Sequence, residues 1–493
     1  MGNENSRLDL SRIYDIFDEN EVLLNKKELY QRYIEPFQNK DFKNPVLAIY
    51  PKTSDQISSL FKDINNINDV NVVIISSTTN PKFLDDTVCS ENSIILDLRN
   101  MKQIQFIDRR NRVCVIEPGV TWDELRKKLK EKGMRPLFPL FPRKGKSALA
   151  SILDREPHLI PKRQFDISDP LLCMEVVFGN GEIFRTGEAA GPHSIEKNRE
   201  YGAALTNPLG PAQTDIFRII QGSKGTLGCV TWISMQCDLI PSKREIKLIE
   251  SNNVNQLNEF IYTSVRRRLV DEVFILNKNL FCSLFPQKKI QVKDYVLIFS
   301  VNGYEILPDQ KVKYQLADLQ DIMTEMDLEA KENISGISKN NLTPFLDGNI
   351  IEPHPKYINN MISVDLFYNT TLNRVNKHIK RAYEIISNHQ FPREKVNLYL
   401  QPIIQARAVN VEFSLMVDIS ESSHSKSNRK DARKILTELA DYISQNGGFF
   451  SRSYKLINEF AFTDRNKGVQ DSLRKIKEIF DPNYILNKGQ LIF

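Results

Sequence analysis

Two side chains near the end of the sequence have the types and spacing for chemistry on an anion. They are Arg452 and Tyr454, in Gly447-Gly448-Phe449-Phe450-Ser451-Arg452-Ser453-Tyr454. A planar guanidinium matches a carboxylate or phenolate, and a tyrosine hydroxyl can hold or take a proton. A simple surface role is the alternative. A second pair, Arg407 and Glu412, lies in residues 398–413, where substrate handling and a plain cross-strand ion pair are equal readings. The third candidate is backbone: Gly222-Ser223-Lys224-Gly225-Thr226-Leu227-Gly228-Cys229-Val230-Thr231. Three glycines in seven residues follow a short helical run and precede a β-branched strand. Such a stretch bares main chain where a ligand or another backbone comes close, and Gly222 stands where a helix needs a left-handed stop. A tight helix-to-strand turn is the alternative, since glycine is the default turn residue.

Composition narrows what these residues can serve. At 493 residues the chain is too long for one ordinary core, so two or three domains are expected. With 41% apolar and 26% charged residues it reads as globular and soluble. A net charge of +5, from 67 basic and 62 acidic residues, gives nucleic-acid binding little support. No apolar run approaches the ~18 residues of a membrane span, and no secretory signal is visible. The start, Met1-Gly2-Asn3-Glu4-Asn5-Ser6, fits a myristoylation pattern but reads as an ordinary polar end. The six cysteines and six histidines are dispersed, with no CxxC, HxH or HExxH. That argues against a metal site and fits a reducing cytoplasm, with most cysteines acting as buried small hydrophobes. His193, alone in a loop, reads as solvated.

Further motifs stand around the glycine stretch: Glu117-Pro118-Gly119-Val120, Pro208-Leu209-Gly210-Pro211, and the ending Phe480-Asp481-Pro482-Asn483-Tyr484-Ile485-Leu486-Asn487-Lys488-Gly489. In this order they resemble the FAD-linked oxidases of the vanillyl-alcohol-oxidase type, which include glycolate oxidases and D-lactate and cresol dehydrogenases. The resemblance runs over nearly the whole chain. It implies an α+β protein with three parts: a PCMH-type FAD-binding domain of two α+β subdomains (1–245), an antiparallel-sheet-and-helix cap that builds the substrate pocket (246–446), and a segment returning to the FAD domain (447–493). It implies FAD held by Ser76, Ser77, Thr78, Thr79 and Asn80, by Pro118 and Gly119, by Gly145 and Ser147, by Gly222, Ser223, Gly225, Thr226, Gly228 and Val230, and by Asn487. Arg452, Tyr454, Glu412 and Arg407 become the candidate catalytic residues.

The sequence departs from the family where phosphates are expected. Such loops present backbone N–H groups to phosphate. Residues 76–82, Ser-Ser-Thr-Thr-Asn-Pro-Lys, contain no glycine, and Pro81 removes a donor. Their hydroxyls and Lys82 are partial substitutes, and the absence of histidine there implies non-covalent FAD. The second loop, Arg143-Lys144-Gly145-Lys146-Ser147-Ala148, keeps one glycine among three cations. Ala406 and Val409-Asn410-Val411 stand where some relatives have glycine and Cys-His-Cys, so a cap imidazole is missing.

Two functions follow. One is an FAD-dependent dehydrogenase or oxidase that moves a hydride from an alcohol or 2-hydroxy acid carbon to flavin N5, with oxygen or a carrier protein taking the electrons. The other is a flavin-less subunit, structural or regulatory, beside an active paralogue. Either fits a homo- or hetero-oligomer.

The elements needed to position these residues are legible. Thr53 with Gln56, and Thr121 with Glu124, form capping boxes for helices bearing Ile57, Leu60, Phe61 and Ile64 in the first case, and ended by Gly133 in the second. Residues 45–49, 71–75, 93–98 and 112–120 read as strands, and Asn180-Gly181 marks a hairpin between 174–178 and 183–186. Helices are expected around 257–265, 312–323, 375–386, 435–443 and 469–476, a strand at 295–301 and a loop at 341–355. Val411, Phe413, Leu415 and Val417 alternate with polar residues or Met416, the pattern of a strand with one buried face.

Overall fold

A computed structural model describes the chain except for residues 1–9, 35–43, 68, 78–91, 204, 214–215, 359, 419–422 and 455–456. Thr78, Thr79, Asn80, Pro81, Lys82, Cys89 and the myristoylation-type start therefore lie outside the described residues.

The first sheet orders its strands Val22–Leu23, Leu47–Ile49, Ser93–Asp97, Asn71–Ile75. The last three run parallel, buried beneath the helix Ser54–Ile64, whose Thr53–Gln56 capping box forms as expected. The second sheet is antiparallel and built around Gly228–Leu239, flanked by Val113–Ile116 and Leu171–Phe178. The helix Trp122–Lys130 carries the Thr121–Glu124 box and buries Trp122, Leu125 and Leu129 against that sheet's core.

The third sheet has seven antiparallel strands, ordered Lys243–Ser251, Tyr295–Gly303, Val273–Asn277, Val396–Ile403, Ala408–Asp418, Met361–Thr370 and Tyr357–Ile358. Helices Val254–Arg266, Pro308–Glu325, Leu372–Asn388 and Ser423–Gln445 supply one core with its first face. The opposite face carries Ile246, Leu248, Phe274, Val296 and Ile298 into the core of the second sheet.

That double coverage corrects the expectation for residues 411–417. Val411, Phe413, Leu415 and Val417 pack under the helices, but Asn410, Ser414 and Met416 are buried too. The strand is central, and its polar face turns inward. Two other expectations change. Part of the 341–355 loop is the helix Lys339–Leu346, and the 187–210 loop contains the helix Ile195–Glu200. In the closing helix Lys467–Phe480 the expected apolar stripe is weak: Val469 is exposed, and the buried residue is Lys477.

Candidate active site between the sheets

The expected cofactor residues converge on one cleft. Its wall includes Ile74, Ser76, Ser77, Pro118, Gly222, Ser223, Gly225, Gly228, Val230, Arg452 and Asn487, around about 1350 Å³ of empty space counting the open mouth. Gly222 and Gly225 take left-handed φ of +85° and +69°. A Cβ on Gly225 would lie 2.6 Å from the Asn487 amide nitrogen, so only bare backbone fits.

Asn487 explains the terminal motif. Its Oδ1 accepts from the Ile74 N–H at 3.0 Å, and its Nδ2 donates to the Lys224 carbonyl at 2.6 Å. One amide thus ties a strand end of the first sheet to the glycine turn. The motif's acid, Asp481, accepts from the Ile485 and Leu486 N–H groups and pairs with Lys477. Lys477 Nζ also donates to the Thr226 carbonyl at 2.5 Å. Burial pushes its ammonium below the ordinary pKa, with Asp481 opposing the shift.

Other expected residues are placed behind the wall. Gly119 packs against the carbonyls of Arg99 and Met101 and is not part of the cleft surface. Ser147 is buried; it caps the helix Ala148–Leu153, and its Oγ donates to the Pro118 carbonyl at 2.5 Å while its N–H donates to Ser77 Oγ at 3.1 Å. Thr226 is buried, donating to the Ser223 carbonyl at 2.6 Å. Gly145 is a left-handed turn residue whose neighbours, Arg143 and Lys146, face the cleft instead.

A second cavity of about 960 Å³, mouth included, adjoins the cleft and lies against the polar face of the third sheet. The two share Arg143, Lys146, Glu156, Phe367 and Arg452. Arg452 is 9% exposed, with its guanidinium carbon 3.8 Å from the centroid of the Phe367 ring and Nη2 3.9 Å from Glu412 Oε2. Its Nε has no hydrogen-bond partner among the described residues. On the cleft side Lys146 lies 3.6 Å from Asp154 and 3.5 Å from Glu156, and Lys224 lies 3.1 Å from Asp154. Burial disfavours charge on Asp154, yet Lys224 and Lys146 hold its pKa down to about 2.

Glu412 meets Lys356, 2.5 Å away, in place of Arg407, and Lys356 also reaches Asp365 at 2.9 Å. Burial would lower the Lys356 pKa, but the two carboxylates carry it above the ordinary value. Arg407 is exposed at the hairpin tip, where Ile404, Gln405 and Ala406 all have positive φ and turn it away from both cavities. Tyr454 is buried with its hydroxyl donated to the Asp365 carbonyl, and it lines neither cavity. His354 does line the second. Its Nε2 bonds the Phe141 carbonyl at 3.0 Å and its Nδ1 accepts from the Lys356 N–H at 3.1 Å, while burial lowers its pKa to about 4. Lys356, Asp365 and His354 had no motif to announce them; they meet only because separate strands and loops cross here.

Residues 45–187 match the family described as the FAD binding domain. That part of the chain is similar to an FAD binding domain. The chain is 22% identical over 463 residues to the mitochondrial D-lactate dehydrogenase [cytochrome] of Arabidopsis thaliana, spanning 91% of this chain and 73% of that one. It is 27% identical over 186 residues to the 4-cresol dehydrogenase [hydroxylating] flavoprotein subunit of Pseudomonas putida, covering 36% of this chain and 34% of that one. Its fold matches p-cresol methylhydroxylase solved with substrate bound, with a TM-score of 0.75 at 15% identity over 98% of this chain and 96% of the other. The α+β, PCMH-type architecture is therefore shown, with an FAD binding domain match over residues 45–187. Among the described residues no cluster of potential metal ligands forms, and no helix is long and apolar enough to cross a membrane.

Proposed function

We propose that this chain is an FAD-dependent dehydrogenase or oxidase acting on the carbinol carbon of an alcohol, with a 2-hydroxy acid as the preferred class. The observation that carries this is Arg452: buried, stacked on Phe367, loosely tied to Glu412, and set in the wall that the cleft and the second cavity share.

The cleft fits FAD. Gly222, Gly225 and Gly228 bring main chain without side chains to its wall, and its charged lining sets Arg143, Lys146, Lys224 and Arg452 against Asp154 and Glu156. Ser76, Ser77, Pro118, Gly222, Ser223, Gly225, Gly228, Val230 and Asn487 would hold the cofactor. Gly119, Gly145, Ser147 and Thr226 would shape their backbone from behind. Bound FAD supplies the two-electron acceptor for the hydride.

The chain's own residues bind, orient and handle the proton. Arg452 takes the substrate carboxylate with a planar fork that lysine cannot reproduce. Glu412, with Lys356 on one oxygen and Arg452 3.9 Å from the other, is the carboxylate placed to accept the hydroxyl proton. His354 is excluded from that role because both ring nitrogens are engaged. Tyr454 and Arg407 act elsewhere: Tyr454 fixes the strand that carries Asp365, and Arg407 sits at a hairpin tip. The cresol relative is by name a flavoprotein subunit, which supports a carrier or companion chain as partner.

The test is anaerobic mixing of the FAD-loaded protein with alcohols and 2-hydroxy acids while flavin absorbance is followed. Loss of the oxidised spectrum with at least one hydroxy acid is expected. Arg452→Lys should raise the concentration needed about tenfold or more, the cost of losing a bidentate, charge-assisted contact. Flavin that stays oxidised with every alcohol and hydroxy acid would refute the reading.

A further inference from the structure

We propose that the second cavity selects 2-hydroxy acids with a bulky hydrocarbon side chain, aryl or medium-chain alkyl, over acids the size of lactate or glycolate. This rests on the hydroxy-acid reading above. The cavity divides its chemistry between two ends. Cations that could face an incoming carboxylate, Arg143, Lys146 and Arg452, all stand in the wall shared with the cleft. The other charged group, Lys356 with Asp365 and Glu412, is already paired internally at 2.9 and 2.5 Å.

Of the remaining wall, Glu156, His354, Asn397, Tyr399 and Ser414 are polar, and the larger part, with Trp122, Leu140, Phe141, Pro142, Leu280 and Phe367, is apolar. A carboxylate at the Arg452 end leaves a hydrocarbon side chain to lie along that apolar part. A methyl group would leave that wall to water, whereas each methylene removed from water gains on the order of fourfold in affinity. Aromatic bodies gain further from their contact area and ring geometry.

Two buried donors point the same way. Trp122 Nε1–H and Arg452 Nε–H both belong to residues lining this cavity, are at least nine-tenths buried, and lack acceptors among the described residues. Unpaired buried donors are costly, so they mark where a ligand's acceptor oxygens belong. A carboxylate brings such oxygens already ionised. A phenol would have to lose its proton first, at an ordinary pKa near ~10.

Binding is tested without turnover. The probe pair is 3-phenylpropionate and propionate, which lack the hydroxyl, added to the FAD-loaded protein while tryptophan fluorescence is followed. The chain has two tryptophans, and Trp122→Phe assigns the signal. We expect 3-phenylpropionate to bind at least ~30-fold more tightly, from several methylene equivalents. Flavin reduction should favour 3-phenyllactate over lactate in kcat/KM by a similar factor. Leu280→Trp and Leu140→Trp, each filling the apolar end, should shrink that ratio; two positions guard against one variant failing to fold. Equal binding of the two probes, or faster reduction by lactate, overturns this inference and leaves the hydroxy-acid reading standing. Reduction by a 4-alkylphenol but by no hydroxy acid overturns both.

Discussion

Arg452 shows how a single side chain can be committed and still available. Its guanidinium lies on Phe367 and 3.9 Å from Glu412, and its Nε has no partner among the described residues. Arg452→Ala should therefore cost substrate binding more than folding, with KM rising at least ~100-fold as a bidentate charged contact is lost, and the thermal midpoint moving little. Steady-state kinetics beside a melting curve separate the two. Histidines give a second residue-scale expectation. Burial lowers His158 and His354 to about 4. The unfolded chain, with ordinary imidazoles near ~6.5, takes up protons first as pH falls. Stability should thus be full above about pH 6.5 and fall toward pH 4 by about 1.4 kcal/mol per pH unit for each buried histidine. Urea midpoints at about pH 7 and pH 5 measure this, and the double variant His158→Gln/His354→Gln should flatten the difference. The sequence made Arg452 and Glu412 visible through their types and motif context. It misassigned the partner: Glu412 meets Lys356, 56 positions away, because the strands Ala408–Asp418 and Met361–Thr370 pair and the segment before the latter folds back. No spacing rule encodes that meeting.

Among the elements, the closing helix Lys467–Phe480 does more than cover the FAD-binding half. Lys477, fully buried, joins Asp481, the Thr226 carbonyl and the Leu486 carbonyl, and so fastens helix, glycine turn and terminal segment at one point. Lys477→Met keeps the length of the side chain but leaves Asp481 unpaired. It should destabilise the protein by about 3–5 kcal/mol and weaken FAD binding, both readable by denaturant titration with and without FAD. Asn487→Ala removes the amide between Ile74 and Lys224 and should weaken FAD binding with a smaller stability loss of about 1–3 kcal/mol. The glycine turn and the FDP ending were both legible as motifs. That one lysine bridges them was not, because a helical lysine ordinarily points to water.

For the molecule as a whole, the relation between the FAD-binding half and the cap is held by buried charge. Arg135, on the second sheet, pairs with Glu272 beside the third, and reaches Asp238 at 3.3 Å. Lys162 meets Asp271 at 2.6 Å, Arg163 meets Asp238 at 3.0 Å, and Arg244 approaches Glu272 at 3.8 Å. Glu272 remains charged despite burial because Arg135 and Arg244 flank it. Arg135→Ala should cost about 3–5 kcal/mol and loosen the cap, and amide exchange along Val273–Asn277 should rise with it. The order of strands and helices could be read from periodicity and caps. The latch could not, since its members come from five separate segments that only the finished packing brings together.

The central claim is that this chain holds FAD in the cleft between Ile74–Ser77, the glycine turn and Arg452. The most direct measurement is an absorption spectrum of the purified protein before and after FAD is added, with the cofactor then released by denaturation. Flavin bands near ~370 and ~450 nm are expected, restored by free FAD after stripping and set loose by denaturation, as a non-covalent flavoprotein requires. A folded protein that stays colourless and takes up no FAD would contradict it, and would turn attention to a flavin-less subunit beside an active partner.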